Sequence, residues 1–187
     1  VLWDTCKIMP RHEEGLYRHY IIDLPAAHSW VDIITWPGHL TITGDLSETY
    51  TFKREDDMLR CFFHATYGPD YRYWEEKLVI PEPYKATHTW DENWFREDVK
   101  TLQEEGWTFG ENELEDVEYV DSQEAATAWG VDNECGYELG TRYTTDFLRA
   151  CNLIALFAHH YRTYVREFIA QKAGPGLTEN DIKVEYV

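Results

Sequence analysis

The chain has 187 residues, enough to bury the core of one domain, and its hydrophobic content of 43% excludes a wholly disordered protein. Its longest apolar stretches, such as residues 153–158, are too short to cross a bilayer. The net charge of −18 is concentrated in residues 82–138, where 17 acidic and 3 basic residues give −14, so this part of the chain is expected to repel nucleic acid.

The first third of the chain is predicted to form strands. Turn residues, among them 10–15, Pro37-Gly38 and Gly44-Asp45, separate short segments of β-favouring residues. The predicted strands are Leu2 to Met9, Leu16 to Leu24, Trp30 to Trp36, His39 to Thr43 and Thr49 to Lys53. This spacing predicts an antiparallel meander of four or five strands.

Helices are predicted after residue 53. Asp56 can cap a helix that carries Met58, Leu59, Phe62 and Phe63, and a short helix is expected through Tyr71, Trp74 and Leu78. Thr89 to Glu92 fits a capping box, which would open a helix with Trp94, Phe95, Val99 and Leu102 facing inward. Asp121 or Ser122 can start a brief helix that ends at Trp129-Gly130.

The clearest predicted element is a long helix from about Thr144 to Lys172. Apolar residues recur along it at spacings of three and four: Phe147, Cys151, Ile154, Ala158, Tyr161, Val165 and Phe168. The predicted fold is a single α+β domain over residues 1–187. Several helices, with the long one central, would cover one face of the sheet.

No catalytic or cofactor motif is recognisable. A glycine-rich phosphate loop and a Gly-x-Ser-x-Gly elbow are both absent from the sequence, and the histidines lack the spacing of metal ligands. We therefore expect no metal, no other cofactor and no enzymatic activity. The alternative is a small enzyme acting on a nucleotide or sugar, with Asp23, Asp32 and Asp45 meeting in a cleft walled by Trp30 and Trp36.

Short matches in a fixed order from Trp30 to Leu78 resemble a group of small, largely uncharacterised bacteriophage and prophage proteins. They are Asp32 to Leu40, Gly44 to Leu46, Tyr50 to Phe52, Asp57-Met58, Phe62-Phe63 and Tyr73 to Leu78. The sequence departs from the pattern at Ser47-Glu48, where a longer turn is expected. The resemblance implies a phage origin and the cytoplasm of a host cell. Four separated cysteines agree with a reducing compartment, with two disulfides in an exported protein as the alternative.

Phage accessory proteins often act against host defences, and a strongly acidic one can imitate the phosphates of nucleic acid, as some anti-CRISPR and anti-restriction proteins do. The expected partner is therefore a nucleic-acid-binding defence protein or complex of the host. The expected binding residues are Glu111, Glu113, Glu115, Asp116, Glu118 and Asp121, with Trp107 and Trp129 as exposed anchors. Two alternatives remain open. The acids can form a solvated face that only maintains solubility, or the protein can be a structural or regulatory phage component.

Overall fold

A six-stranded antiparallel sheet dominates the computed structural model, which describes residues 6–59, 68–135 and 138–173, with side chains up to residue 161. The chain divides into two compact units, each with its own core. Unit 1 comprises residues 1–86 and 145–187, and unit 2 comprises residues 87–144. The single domain expected over residues 1–187 stays a prediction.

The strands of unit 1 follow one another in the sheet in chain order, as a meander does. They are β1 (Lys7–Glu14), β2 (Tyr17–Leu24), β3 (Ser29–Trp36), β4 (His39–Gly44), β5 (Tyr50–Lys53) and β6 (Leu78–Ile80). The α+β class and the N-terminal meander are confirmed. Two turn predictions are confirmed as well, since Pro37-Gly38 separates β3 from β4 and a turn follows Gly44.

The first predicted turn is wrong in position. Residues 11–14 lie within β1, and the chain reverses at Gly15, which has a φ of 61°. The polar side chains of this segment remain exposed while its backbone pairs with β2, as between Glu14 and Tyr17. Because β1 lies at the edge of this sheet, a polar sequence can form a strand there without burying its side chains.

Alternation along the strands directs one face of the sheet toward the C-terminal helix. Tyr20 and Ile22 of β2 and Ile33 of β3 are buried. Helix α5 (Thr145–Ala173) packs against this side, with the Phe157 ring 4.9 Å from the ring of Tyr20. The predicted long helix is confirmed, and Phe147, Cys151, Ile154 and Ala158 are buried as expected. Tyr161 is half-buried, and the side chains of Val165 and Phe168 lie outside the described part.

Unit 1 also contains shorter elements. Asp70 caps helix α1 (Tyr71–Glu75) by accepting the Tyr73 N–H, but Leu78 lies in β6 and not in this helix, because its backbone is paired with β5. The longer turn expected at Ser47-Glu48 precedes β5, and the Ser47 N–H donates to the Asp146 carboxylate at 2.9 Å. Met58 and Leu59 are buried, whereas Phe62 and Phe63 of the predicted helix lie outside the described residues.

The described residues of unit 2 form a small sheet and three helices. Strands β7 (His88–Trp90) and β8 (Thr141–Tyr143) pair antiparallel, and between them lie α2 (Glu92–Glu104), α3 (Glu111–Val117) and α4 (Gln123–Asp132). Their apolar faces meet in one core of Phe95, Val99, Val117, Val120, Ala126 and Trp129. Within the part of the chain that the structure describes, no helix is long and apolar enough to span a membrane.

The helices of unit 2 differ from the predicted ones in three respects. The α2 cap is Asp91, which accepts the N–H groups of Asn93 and Trp94, because Thr89 is engaged in β7. Ser122 caps α4 as expected, but the helix runs two residues beyond Gly130 to Asp132. Helix α3 was not predicted, since only two apolar residues mark its inward face.

Candidate partner-binding surface

The acidic surface, as we define it, consists of the six carboxylates on and just after α3: Glu111, Glu113, Glu115, Asp116, Glu118 and Asp121. All six are exposed. Leu114 and Val117 turn toward the core of unit 2, so the intervening acids face solvent. The structure therefore brings together the six predicted acids on one short helix and the turn that follows it.

No basic side chain neutralises the acidic surface within the described residues. Unit 2 has three basic residues, and each pairs with an acid elsewhere: Arg96 with Glu92, Lys100 with Glu104, and Arg142 with Asp98. The nearest cationic contact is a 3.4 Å hydrogen bond from the Arg96 guanidinium to the backbone oxygen of Glu118. The basic residues of unit 2 therefore make no ion pair with the six acids among the described residues.

The pair of Asp98 and Arg142 is the best-formed ion pair of unit 2. The guanidinium donates to both carboxylate oxygens, at 2.9 and 2.5 Å, and the Gly140 N–H donates to the same group at 2.8 Å. Partial burial acts to raise the pKa of Asp98, but these hydrogen bonds outweigh it and hold the pKa below its ordinary value. This arginine therefore belongs to the structural framework of β8 and α2.

Glu113 has a structural role within the acidic surface. Its carboxylate accepts the N–H of Gly110 at 2.5 Å and so closes the first turn of α3. Negative charge at this end of a helix also interacts favourably with the backbone dipole. Glu113 is accordingly a helix cap, whereas Glu111, Glu115, Asp116, Glu118 and Asp121 have no hydrogen bond or ion pair from their side chains among the described residues.

Trp129 was expected to be an exposed anchor, and this is wrong. Its side chain is only 6% exposed, it meets Phe95 edge-on at 5.5 Å, and its Nε1–H donates to the backbone oxygen of Glu113 at 3.0 Å. Position 129 falls on the inward face of α4, so the indole supplies core volume. Trp107 is 43% exposed as expected, and Tyr119, at 81%, is an exposed aromatic residue beside Glu118 that the sequence did not indicate.

An open depression of about 530 Å³ lies beside the acidic surface. Trp107 and Phe109 contribute aromatic rings to its lining, and Glu105, Glu113, Asp132 and Glu134 contribute carboxylates. Aromatic faces and carboxylates both attract cations. A lysine or arginine side chain of a partner is the chemistry that this lining suits.

Two of the three acids of the enzyme alternative adjoin Trp30 in unit 1, and the third, Asp32, contacts a histidine. Asp32 contacts His19 at 2.5 Å, Asp45 accepts the Trp30 N–H at 3.1 Å, and Asp23 lies opposite Trp30 in the register of β2 and β3. The nearest titratable partner of Asp32 is thus a histidine that sequence reasoning did not connect with it. The alternation of β2 and β3 could have placed both on one face of the sheet.

No group of three or more potential metal ligands occurs among the described residues. Cys6, Cys135 and Cys151 are free thiols, and burial raises the pKa of Cys151 well above its ordinary value, so it remains a protonated thiol. Cys61 lies outside the described residues.

Comparison with known proteins adds no relative. No protein-family model, no curated protein and no solved structure matches the chain.

Proposed function

We propose that this is a phage-encoded inhibitor that binds a nucleic-acid-binding defence protein of the host through the acidic surface of unit 2. The observation that carries the proposal is a set of six exposed carboxylates without an ion pair among the described residues, in a unit whose basic residues are all engaged elsewhere. A basic groove that holds phosphates is the complement of such a surface.

The spacing of the acids on α3 supports imitation of a phosphate backbone. Glu111, Glu115 and Glu118 follow one another at intervals of four and three residues, so they lie along one side of the helix at axial separations of about 6 and 4.5 Å. Successive phosphates of one DNA strand are about 3.4 Å apart along the axis, a distance of the same order.

Exposed aromatic residues add apolar contact area to the charge of this surface. Tyr119 lies beside Glu118, and Trp107 lines the neighbouring depression. Tyrosine and tryptophan are enriched among the residues that dominate binding energy at interfaces. We therefore assign steering of the partner to the carboxylates and short-range contact to the two rings.

A displacement assay tests the proposal. A panel of RNA-guided and restriction nucleases is loaded with fluorescent DNA, and loss of fluorescence anisotropy is measured as the protein is added at increasing salt. We expect displacement from at least one member, with an affinity that falls as salt rises, because exposed charges are screened beyond roughly 8 Å at physiological ionic strength. Displacement from no member of the panel would contradict the proposed activity.

Two variants with equal charge change locate the binding surface. In the first, Glu111, Glu115 and Glu118 become Gln and Asp116 becomes Asn, while the helix cap Glu113 is kept. In the control, four exposed acids of unit 1 become Gln: Glu48, Glu55, Glu76 and Glu82. The first variant should bind the nuclease with an association rate constant about tenfold lower, since exposed interface charges act mainly on the rate of encounter. Equal slowing by both variants would show that only net charge matters.

A further inference from the structure

A second candidate site lies on the open face of the unit 1 sheet. Tyr17 and His19 of β2 and Ile34 and Trp36 of β3 alternate with buried residues, so their side chains lie on the opposite face of the sheet from Tyr20, Ile22 and Ile33. The register places His19 opposite Ile34 and brings Asp32 and Trp36 next to this pair on the same face. This site is independent of the acidic surface.

Asp32 fixes the orientation of the His19 ring. The imidazole Nε2 lies 2.5 Å from Asp32 Oδ1, and an ionised carboxylate can only accept a hydrogen bond, so Nε2 carries the hydrogen. In the neutral ring Nδ1 is then an acceptor, and no partner for it is found among the described residues. The His19 side chain is 36% exposed and that of Asp32 only 15%, so the carboxylate lies deeper than the ring that it orients.

The imidazole lines an open depression of about 580 Å³ together with Tyr17, Ile34 and Trp36. This volume is within the range of small-molecule sites, and the lining is mainly aromatic and apolar as in such sites. His39 stacks on Trp36 at 5.0 Å with an interplanar angle of 12°, which holds the indole in place. His12, Glu14 and Arg18 also line the depression. Glu14 lies 3.7 Å from His12, and Arg18 is paired with Asp57 at 3.1 Å, so these groups are engaged within the protein, which suits a neutral ligand.

We propose that this depression binds a small, neutral, planar aromatic molecule that donates a hydrogen bond from an O–H or N–H group to His19 Nδ1. The rings of Tyr17 and Trp36 supply contact area for a flat ligand. The tautomer held by Asp32 selects ligands that donate over ligands that accept, because an acceptor would leave two lone pairs facing each other. His19 is the ligand-contacting residue, and Asp32 is a positioning residue.

Three two-ring probes of nearly equal size test this selection: 2-naphthol, which donates, quinoline, which accepts, and naphthalene, which does neither. Binding is followed by NMR through the indole N–H of Trp36 and the backbone amides of β2 and β3. We expect 2-naphthol to bind roughly tenfold more tightly than either other probe, the effect of about one well-formed hydrogen bond. Equal affinities for the three probes, or shifts confined to another part of the protein, would overturn the proposal.

Two substitutions separate positioning from contact. His19→Phe keeps a planar ring at this position but removes both ring nitrogens, and with them the acceptor, so the preference for 2-naphthol should disappear. Asp32→Asn leaves the ring in place but can donate as well as accept, so both tautomers become accessible and the preference should fall to about twofold or less. His160→Phe, at an exposed histidine of α5, is the matched control and should retain the full preference.

Discussion

Replacing Trp129 by Phe separates its structural role from a role in partner binding. The substitution keeps an aromatic ring against Phe95 and Phe109, whose centroids lie 5.5 and 5.3 Å away, but it removes the indole N–H that donates to the Glu113 backbone oxygen. That oxygen belongs to the first half of α3. The change therefore acts at the contact that holds α3 against α4.

The expected cost follows from these contacts. Loss of the hydrogen bond should cost about 1 kcal/mol, and the volume that a phenyl ring does not refill should cost about 1–2 kcal/mol more. We expect Trp129→Phe to lower the free energy of unfolding by roughly 2–3 kcal/mol. Trp107→Phe is the matched control, because Trp107 is 43% exposed and an exposed substitution usually changes stability by about 0.5 kcal/mol or less.

Urea unfolding followed by far-UV circular dichroism measures both variants without relying on tryptophan fluorescence. A shift of the midpoint without a change of slope would report stability alone. If Trp129→Phe were as stable as the unmodified protein, the indole would not hold the core of unit 2. A variant of normal stability that lost partner binding would restore Trp129 as an interface anchor.

Three further predictions concern the framework. Ile154→Ala should cost roughly 2–5 kcal/mol in urea unfolding because Ile154 is fully buried, whereas His159→Ala on the exposed side of the same helix should change stability by less than about 0.5 kcal/mol. Gly140→Ala should lower the melting temperature more than Gly38→Ala. Both have positive φ, but a Cβ at Gly140 would lie 2.6 Å from an indole nitrogen, and one at Gly38 meets nothing within 4 Å. The pKa of Asp98 is lower in the folded protein, so ionised Asp98 adds to the free energy of unfolding at pH values above the ordinary pKa of 3.8. That stabilisation is lost as the pH falls through the pKa of the folded state, and Asp98→Asn should remove this part of the dependence of stability on pH.

The meander and the long helix could be predicted because their signals are local and regular. The Pro37-Gly38 dipeptide lies in the turn between β3 and β4, and residues 147–158 repeat with the period of a helix. Edges were harder. Residues 11–14 look like a turn because they are polar, but the pairing with β2 that makes them a strand comes from the partner strand and not from their own composition.

The acids of the candidate surface could be found from charge alone, whereas the burial of Trp129 could not. A tryptophan next to a glycine at the end of a helix has no sequence feature that separates an anchor from a core residue. Its position depends on where α3 lies, and α3 itself has a weak signal, with only Leu114 and Val117 marking its inward face. The contact between His19 and Asp32 was missed for a related reason, since it joins two strands 13 residues apart.

The acidic surface conflicts with the local rules that stabilise helices, and this conflict bears on its role. Glu111 and Glu115 have like charges one turn apart, an arrangement that is mildly destabilising, and Glu118 near the C-terminal end of α3 meets the negative end of the helix dipole. Glu113 gains a compensating hydrogen bond, and Glu111 lies in the first turn at the positive end of the dipole, whereas Glu115 and Glu118 gain neither among the described residues. Solubility alone does not require acids at these positions, because exposed acids elsewhere in the chain serve that purpose. One of them, Glu82, lies 3.3 Å from Lys85 in an exposed ion pair. Features that break local rules without a compensating gain are expected at functional sites, and this favours a binding surface over a solvated face.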